Sequence, residues 1–411
     1  MTPEHQYDLL IAGGGLVGAT LAIALSGTGL RVALVEAVPF GDAAQPSYDD
    51  RSIALAYGSR RIFETLGVWR LIEQQGVTSI DDIHISHFGR FGAARLSAGD
   101  AGVEHLGYVA AAQALGAALQ QRLRACDHVT FLCPARLTDF RIDEGGVQAT
   151  LAHPDGSSLA LRARLLVGAD GGQSQVRTRL GIEAQRADYR QTALIANITP
   201  SRPHRHTAYE RFTPQGPAAL LPIDADRFAL VYCLPPEQVP EALALDDAAF
   251  AARLHRVFGT RAGRFTRIGA RSAYPLTLTR VADPVRPRAV VIGNAAHTLH
   301  PVAGQGFNLG LRDAATLAEL LARAARDGDD IADAALLARY AAARRHDTHI
   351  IRAMTNGLLG LFTNDSAALA LVRGLGLVGL DLAAPLKRVL LAHTMGLAGT
   401  VPRLARGLAL G

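Results

Sequence analysis

A glycine comb near the start of the chain constrains the fold more than any other feature. Tyr7 to Ala12 is a short apolar run, Gly13-Gly-Gly-Leu-Val-Gly18 opens a helix that carries to Leu25, and Gly27 and Gly29 end that helix. Arg31 to Glu36 is then apolar again, which makes strand, helix and strand in one βαβ unit. Glycine at 13 permits the tight turn, glycine at 15 lets a pyrophosphate approach the backbone, and glycine at 18 lets helix and strand pack closely. The second strand closes on Glu36. A carboxylate there accepts hydrogen bonds from ribose hydroxyls and repels a 2'-phosphate, so the expected ligand is a dinucleotide of the FAD or NAD kind rather than NADP. The glycines alone would be a weak signal, but strand, helix, strand and acid together form a specific one.

Two later stretches repeat this chemistry. Leu165 to Arg177 is an apolar strand, a sharp turn at Asp170-Gly171 and a helix bearing Ser174 and Arg177, which resembles a nucleotide-contacting turn. Val291 to Gly310 is a strand end, then a loop punctuated by Gly293, Asn294, Pro301, Gly304, Gln305 and Gly306, then Asn308 within a helix expected to start at Phe307. Phe307, Leu311, Ala314, Ala315, Ala318 and Leu321 recur at helical spacing. The loop therefore delivers free backbone N–H groups to a helix N-terminus, an end that attracts negative charge. The pyrimidine end of a reduced flavin carries such charge, and the stretch reads as a flavin cradle.

Between these stretches, Asp50 to Leu66 reads as a helix, with Arg51 either a phosphate or flavin contact or a solvated arginine. Ile80 to Leu106 reads as strands of a second sheet, Val109 to Leu123 as helix, and Val129 to Leu151 as a strand pair turning at Glu144-Gly-Gly146. Ala193 to Ile198, Thr207 to Thr213, Ala218 to Ile223 and Arg227 to Leu234 are four strand-like runs of an antiparallel sheet. Phe212, Pro217, Leu220, Leu221, Pro222 and His300 are the expected substrate wall, the substrate lying between sheet and flavin. Asp246 to Phe258 reads as helix and Arg271 to Leu278 as a strand.

Composition narrows the class. A chain of 411 residues, 49% hydrophobic and only 19% charged, buries a large core and is not disordered. Its net charge of +5 comes from scattered arginines with 6% aromatics and no interleaved basic run, so no nucleic-acid partner is expected. Three cysteines without a CxxC pair fit buried thiols in a reducing compartment. The 14 histidines show no HExxH, and the nearest pair, His204 and His206, sits in a Pro- and Arg-rich loop, so no metal site is expected. The acidic, glycine-combed start does not read as a signal peptide. From Tyr340 to Gly411 the chain reads as helical with long apolar faces, interrupted by Asp365, Arg373 and Asp381 before any window reaches the ~20 residues a bilayer span needs. Two readings stand for this tail. It packs on the flavin domain, or it presents an interfacial patch in which Arg373, Lys387, Arg388, Arg403 and Arg406 meet anionic lipid.

Three elements in this order, Gly13 to Gly18 with Glu36, Leu165 to Arg177 and Gly293 to Asn308, resemble the single-component FAD-dependent aromatic hydroxylases over nearly the whole chain. Within that group Asp50-Arg-Ser-Ile-Ala-Leu-Ala-Tyr-Gly-Ser59, Leu106-Gly-Tyr-Val109, Gly293-Asn-Ala-Ala-His-Thr-Leu-His-Pro301 and Leu361-Phe-Thr-Asn364 are similar to the ubiquinone-biosynthesis hydroxylases, most of all to the 2-polyprenyl-6-methoxyphenol hydroxylase branch. The resemblance implies an α/β fold: a Rossmann-like, glutathione-reductase-like FAD-binding domain (1–75, 107–182 and 284–340), an inserted antiparallel β-sheet substrate domain (76–106 and 183–283) and a helical C-terminal region (341–411). It implies that Gly13, Gly15, Gly18 and Glu36 bind the ADP half of FAD, that Arg51 and Gln113 contact the cofactor, and that Asp170 and Gly171 form a turn touching FAD and the reduced nicotinamide. Asn294 stands where the broader family has an aspartate on a ribityl hydroxyl, and its amide can also donate and accept there.

The implied reaction uses NADH or NADPH and molecular oxygen, and a flavin hydroperoxide hydroxylates the ring of a prenylated phenol. His297 and His300 lie near the cradle, but no catalytic base is assigned. The implied setting is cytoplasmic, peripheral on the inner face of the membrane, with ubiquinone-biosynthesis proteins and a homo-oligomer among the expected partners. The alternatives are a hydroxylase of a soluble aromatic, a prenyl-chain reductase, or a non-catalytic FAD-containing scaffold. A flavin halogenase would need a lysine near the flavin, and Lys387 is the single lysine.

Overall fold

The computed structural model describes residues 6–39, 51–363 and 367–411. The chain begins with β1 (Tyr7–Ala12), α1 (Leu16–Ala24), β2 (Val32–Val35), β3 (Ser52–Ala56), α2 (Tyr57–Thr65), α3 (Trp69–Gln75) and β4 (Thr78–Ile80). It continues through β5 (Asp82–His87), β6 (Ala93–Ser97), α4 (Ala98–Ala101), β7 (Gly107–Ala111), α5 (Ala112–Leu123), β8 (Val129–Leu132), β9 (Arg136–Asp143), β10 (Gly146–Ala152) and β11 (Ser158–Gly168). Next come α6 (Gln175–Arg179), β12 (Ala184–Pro200), β13 (Thr207–Thr213), β14 (Gly216–Ile223), β15 (Arg227–Leu234), α7 (Val239–Ala244) and α8 (Asp247–Phe258). The remainder is β16 (Phe265–Ile268), β17 (Ser272–Val281), β18 (Val285–Arg286), β19 (Ala289–Val291), β20 (His297–Thr298), α9 (Gln305–Asp327), α10 (Ala334–Thr363), α11 (Ala367–Leu382) and α12 (Ala384–Thr394).

The strand segments Leu9–Ala12 and Val32–Val35 are apolar without alternation and almost fully buried, the pattern of parallel strands covered on both faces. Accordingly β19, β11, β1, β2 and β8 form a parallel sheet, with Leu9 beside Leu165 on one flank and Val32 on the other. Helices α1, α5 and α9 pack on one face with a core of Leu21, Leu115, Leu311 and Leu317. The hairpin β9–β10 and α6 cover the other, around Val147, Leu166 and Val176. A larger second sheet runs β20-β17-β12-β15-β14-β13-β5-β6, with β16 on β12. One face of this sheet carries its own core, in which Phe228, Leu220 and Leu230 meet Phe250 and Leu254 of α8. A three-stranded sheet β3-β7-β4 bridges the two.

The α/β class with a parallel nucleotide sheet, a second sheet and C-terminal helices matches the expectation, while several local assignments are corrected. The stretch from Ser52 is a strand, and the helix starts only at Tyr57; pairing of Ser52–Ala56 with Gly107–Ala111 overrides the helical preference of alanine and leucine. The same pairing makes Val109 a strand residue and delays α5 to Ala112. Helix α9 starts at Gln305, two residues before Phe307, because Val302–Gly304 is already a helical turn that feeds it. The second sheet is not wholly antiparallel, since β13 and β5 run parallel. The long helices end at Thr394; a short helical turn at Leu404–Arg406, with Leu410, then returns to the core beside α1 and α2. Asp50 and Asn364 lie outside the described residues, as do the side chains of Leu358, Leu359, Leu361 and Phe362.

The five cations of the tail stand in different surroundings. Arg373 is 3% exposed, Lys387 is ion-paired with Asp100 and Asp381, and Arg403 holds the carbonyl of Ala409. The Arg406 carbonyl accepts from Arg61, and Arg388 and Arg406 are both exposed. Among the described residues no helix is long and apolar enough to cross a membrane.

Phe250 anchors the second core, fully buried and capped by the Arg271 guanidinium 5.0 Å from its ring centre. Phe250→Ala is expected to cost about 3–5 kcal/mol, read as a lowered urea midpoint. A loss below about 1 kcal/mol would show that this core contributes little to the fold.

Candidate functional site

The nucleotide end of the site is built from absent side chains. Gly13 adopts φ +105°, and a Cβ there would lie 2.4 Å from the Ala169 carbonyl oxygen. A Cβ on Gly18 would lie 2.0 Å from the Gly13 oxygen, so this glycine faces the packing and not the cavity. Gly15 is the side-chain-free cap of α1, and Gly13, Gly15, Leu16 and Val17 line one end of a cavity of about 960 Å³. Glu36 sits on the same wall, one carboxylate oxygen accepting from the Gly14 N–H at 2.8 Å and the other from the Val38 N–H at 2.9 Å. Each oxygen keeps a lone pair for a ribose hydroxyl. Arg51 also lines the cavity, its guanidinium 5.4 Å from the centre of the Tyr274 ring.

The second motif turns at Asp170, whose carboxylate accepts from Ser174 Oγ (2.5 Å) and from the backbone N–H groups of Gln175 (2.8 Å) and Val176 (3.1 Å). Asp170 therefore shapes its own turn. Gly171, at φ +82°, has nothing near its Cβ position and leaves backbone open to the cavity. Buried Arg177 donates to the Gly172 carbonyl (3.0 Å) and to the Ala295 carbonyl (2.8 Å), which ties the second motif to the third.

The third motif is held from behind by a buried charge network that the sequence reading missed. Gly293, at φ +60°, donates its N–H to Asp313 Oδ2 at 2.9 Å. The same oxygen binds His297 Nε2 at 2.6 Å, and Asp313 Oδ1 accepts from Arg344 Nε at 2.6 Å. Arg344 also reaches Asp347 (2.5 Å), which Arg312 meets at 3.2 Å. Burial alone would raise the Asp313 carboxyl, but the charges of His297 and Arg344 overcome it and hold it well below the usual carboxylate range. Arg344 is held above its ordinary value by Asp313 and Asp347 despite its burial. The available signal was an Arg312-Asp313 pair set inside an otherwise apolar helical stripe.

Asn294 lines the cavity with Pro301, Gly304, Gln305, Gly306 and Asn308. Asn308 is fully engaged: its oxygen accepts from the Ala56 N–H (2.8 Å) and Ser59 Oγ (2.7 Å), and its amide donates to the Ala54 (2.9 Å) and Gly304 (2.7 Å) carbonyls. It buttons β3 onto α9. Gly304, at φ +61°, closes the approach to Ala54, while Gly306 has open space where a Cβ would stand. The Gln305 amide donates to the Thr394 carbonyl at 3.1 Å. Gln113 is exposed and off the cavity wall; with α5 starting at Ala112, it is Ala112 that lines the cavity.

The other end of the cavity is aliphatic. Ile83, Ile85, Leu96, Phe212, Leu221 and Val231 line it from the sheet, with Met354, Leu377, Leu380 and Leu391 from the helices. Strand alternation corrects the expected wall. Ala219 and Leu221 line it, while Leu220 points into the core under α8. Pro217, opposite Phe212 in the ladder, and Pro222 are buried off the wall. His300 is buried behind the loop, Nε2 2.9 Å from the Gln191 side-chain oxygen and Nδ1 accepting from the Val302 N–H at 3.2 Å. Glu210, which the sequence reading did not single out, lines the cavity between Ala208 and Phe212.

The residues present fit FAD. Three stretches of backbone cleared of side chains at Gly15, Gly171 and Gly306 converge on one cavity, with Glu36 at one end and the first turn of α9 at the other. Fold and site together define a flavoprotein of the FAD-dependent monooxygenase class. The chain belongs to the FAD binding domain family, whose model matches residues 6–353. It is 41% identical over 410 residues to ubiquinone hydroxylase UbiL of Rhodospirillum rubrum, covering 99% of this chain and 94% of that one. It is 31% identical over 407 residues to 3-demethoxyubiquinol 3-hydroxylase of Escherichia coli, covering 96% and 100%. Among solved structures, PqsL of P. aeruginosa in complex with 2-aminobenzoylacetate matches with TM-score 0.76 and 26% identity over 90% of this chain and 100% of that one. The family resemblance read from the motifs is thus the relationship found.

Asp313→Asn removes one of the two buried carboxylates paired with Arg344 and is expected to cost about 3–5 kcal/mol, seen as a lowered unfolding midpoint together with loss of FAD on gel filtration. Retained stability and flavin would remove the network from its supporting role. A pH effect follows from His300, which burial lowers from 6.5 to about 4. Between those values the unfolded chain binds a proton that the native chain refuses, so stability falls as pH drops through this window. His84, also lowered to about 4, adds to the fall in the same direction. Urea midpoints measured across this range should decline, and His300→Asn should flatten the decline in part.

Proposed function

We propose that this FAD-dependent monooxygenase hydroxylates the aromatic ring of a polyprenylated phenol in ubiquinone biosynthesis, with NADH or NADPH as electron donor and molecular oxygen as co-substrate. The single observation that carries the reading is the cavity itself. One end is cleared backbone and Glu36, and the other is aliphatic wall from both sheet and C-terminal helices. The names of the relatives from R. rubrum and E. coli supply the pathway. In this reading 1–75, 107–182 and 284–340 carry the cofactor, and 76–106 with 183–283 carry the substrate wall.

FAD, when bound, would accept electrons from the nicotinamide and activate oxygen. Gly13, Gly15 and Glu36 would hold its adenosine and pyrophosphate, and Asn294 a ribityl hydroxyl. The N–H groups at the start of α9, cleared at Gly306, would face its anionic ring edge. The chain's own contribution to the reaction is placement and dryness. Leu221, Phe212 and Ile85 exclude water from the ring-binding end, and the side chains of α11 and α12 extend that wall along a tail. In this reading a substrate with such a tail would bring the enzyme to the inner face of the cytoplasmic membrane.

The test is oxidation of reduced nicotinamide by purified holoenzyme, with heavy oxygen traced into product. Prenylated phenols should stimulate turnover and acquire one labelled oxygen. Stimulation only by soluble aromatic acids would move the enzyme to the soluble branch, and flavin content without turnover would leave a scaffold. Leu221→Arg is expected to raise KM for a prenylated phenol by about tenfold or more, the loss of one buried aliphatic contact, with a smaller effect on a short-chain phenol.

A further inference from the structure

We propose that the chain docks on an anionic bilayer through the tip of the β5–β6 hairpin and the outer face of α11. The inference rests on the reading of a lipid-borne substrate and names the surface that would meet the lipid. At the tip Phe91 is 67% exposed, and on α11 Leu371, Val372 and Leu375 are 56–61% exposed. These residues form one surface because hairpin and helix touch backbone to backbone. A Cβ on Gly92 would lie 2.5 Å from the Gly374 oxygen, and one on Gly374 would lie 2.6 Å from the Phe91 oxygen. A hairpin that merely needed a turn would not require that contact.

Two further observations select lipid as the occupant. The first is continuity with the cavity: the opposite side of α11 presents Leu377 and Leu380 to the cavity wall. The helix is thus the single layer between the exposed apolar face and the aliphatic end. The second is charge. Arg90 stands at the exposed tip, and Arg211 lies 5.9 Å over the Phe88 ring. Arg211 Nη1 donates to Ser86 Oγ, while Arg261 is hydrogen-bonded to His84 and Arg95 lies opposite His84 in the ladder. Among the described residues none of these arginines has a carboxylate partner, and the nearby Asp381 is spent on the Arg95 backbone N–H and on Lys387. Strand alternation puts Arg95, Arg211 and Arg261 around His84 on the side of the sheet away from Ile85 and Ala94, which meet α11, so the arginine at the apolar face is Arg90 at its tip. An apolar face with an exposed arginine at its tip complements acyl chains beneath anionic headgroups.

The experiment is co-sedimentation of holoenzyme with vesicles of phosphatidylcholine containing phosphatidylglycerol, and with phosphatidylcholine alone. A parallel assay measures turnover of a short-chain soluble phenol. Binding should require the anionic lipid and weaken with salt. Phe91→Asp and Leu375→Asp should weaken it by about tenfold and Arg90→Ala by about fivefold, all with short-phenol turnover unchanged. Failure to bind anionic vesicles, or binding indifferent to these variants, overturns the proposal. So does a dimer in light scattering that the same variants dissociate, since that would assign the face to a second copy. Vesicle binding that depends on Phe91 in a protein turning over no phenol would uphold the docking surface and reject the hydroxylase reading.

Discussion

A buried carboxylate, Asp313, fixes where the flavin cradle can be. It lies two turns into α9, takes the Gly293 N–H, His297 and Arg344 at 2.6–2.9 Å, and thereby joins the loop before the helix to α10 behind it. Such a network is costly to form, because each charge must leave water, and it is worth little as net stability. Its value is that it has one geometry. A hydrophobic contact at the same place would tolerate sliding, whereas a bidentate carboxylate satisfied on both oxygens holds the Gly293 turn in register with the first turn of α9. Arg177 extends the same logic by tying the Asp170 turn to the Ala295 carbonyl, so that two motifs far apart in sequence are positioned by one set of directional bonds.

Around that frame the two ends of the cavity follow different rules. The dinucleotide end works by subtraction: glycines at 13, 15, 171 and 306 bring backbone N–H groups to the wall, and the helix starts of α1 and α9 supply partial positive charge without mobile side chains. The aliphatic end works by filling, with alternate residues of β5, β13, β14 and β15 aimed inward and the C-terminal helices closing the remaining side. Oxygen chemistry of the kind a bound flavin would supply would be served by both, since oriented dipoles are worth most where water is excluded.

What the sequence disclosed divides along the range of the interactions involved. The βαβ unit, the Asp170-Gly171 turn and the Gly293 to Asn308 cradle are local patterns, and the chain carries them in consecutive residues. Assignments that depended on partners were the ones to slip. Ser52–Ala56 is a strand only because Gly107–Ala111 lies beside it. Gln113 points to solvent because that same pairing delays its helix, and Leu220 rather than Leu221 looks away from the cavity because strand register is set by neighbours. The tail arginines looked alike in sequence, yet Arg373 is buried and Arg403 is folded against its own C-terminal turn, whereas Arg90 at the hairpin tip, remote in sequence, is exposed and has no ion-pair partner among the described residues. Charge seen as composition does not say which charges are already used.

The two asparagines of the third motif make the same point at the level of single atoms. Asn308 has committed its oxygen to Ala56 and Ser59 and its amide to Ala54 and Gly304, so its capacity is consumed in holding β3 against α9, and it can offer a ligand little beyond its position. Asn294 lies exposed on the cavity wall, with no protein hydrogen bond among the described residues, and retains both a donor and an acceptor. The Asp313 charge stands behind the adjoining Gly293, already hydrogen-bonded by His297 and ion-paired with Arg344. A carboxylate at 294 would bring a further negative charge to the place where a reduced flavin develops its own, whereas the amide leaves that region governed by the N–H groups of α9. In the proposed reading, asparagine at this position would keep a hydroxyl ligand in place while sparing the cradle a like charge.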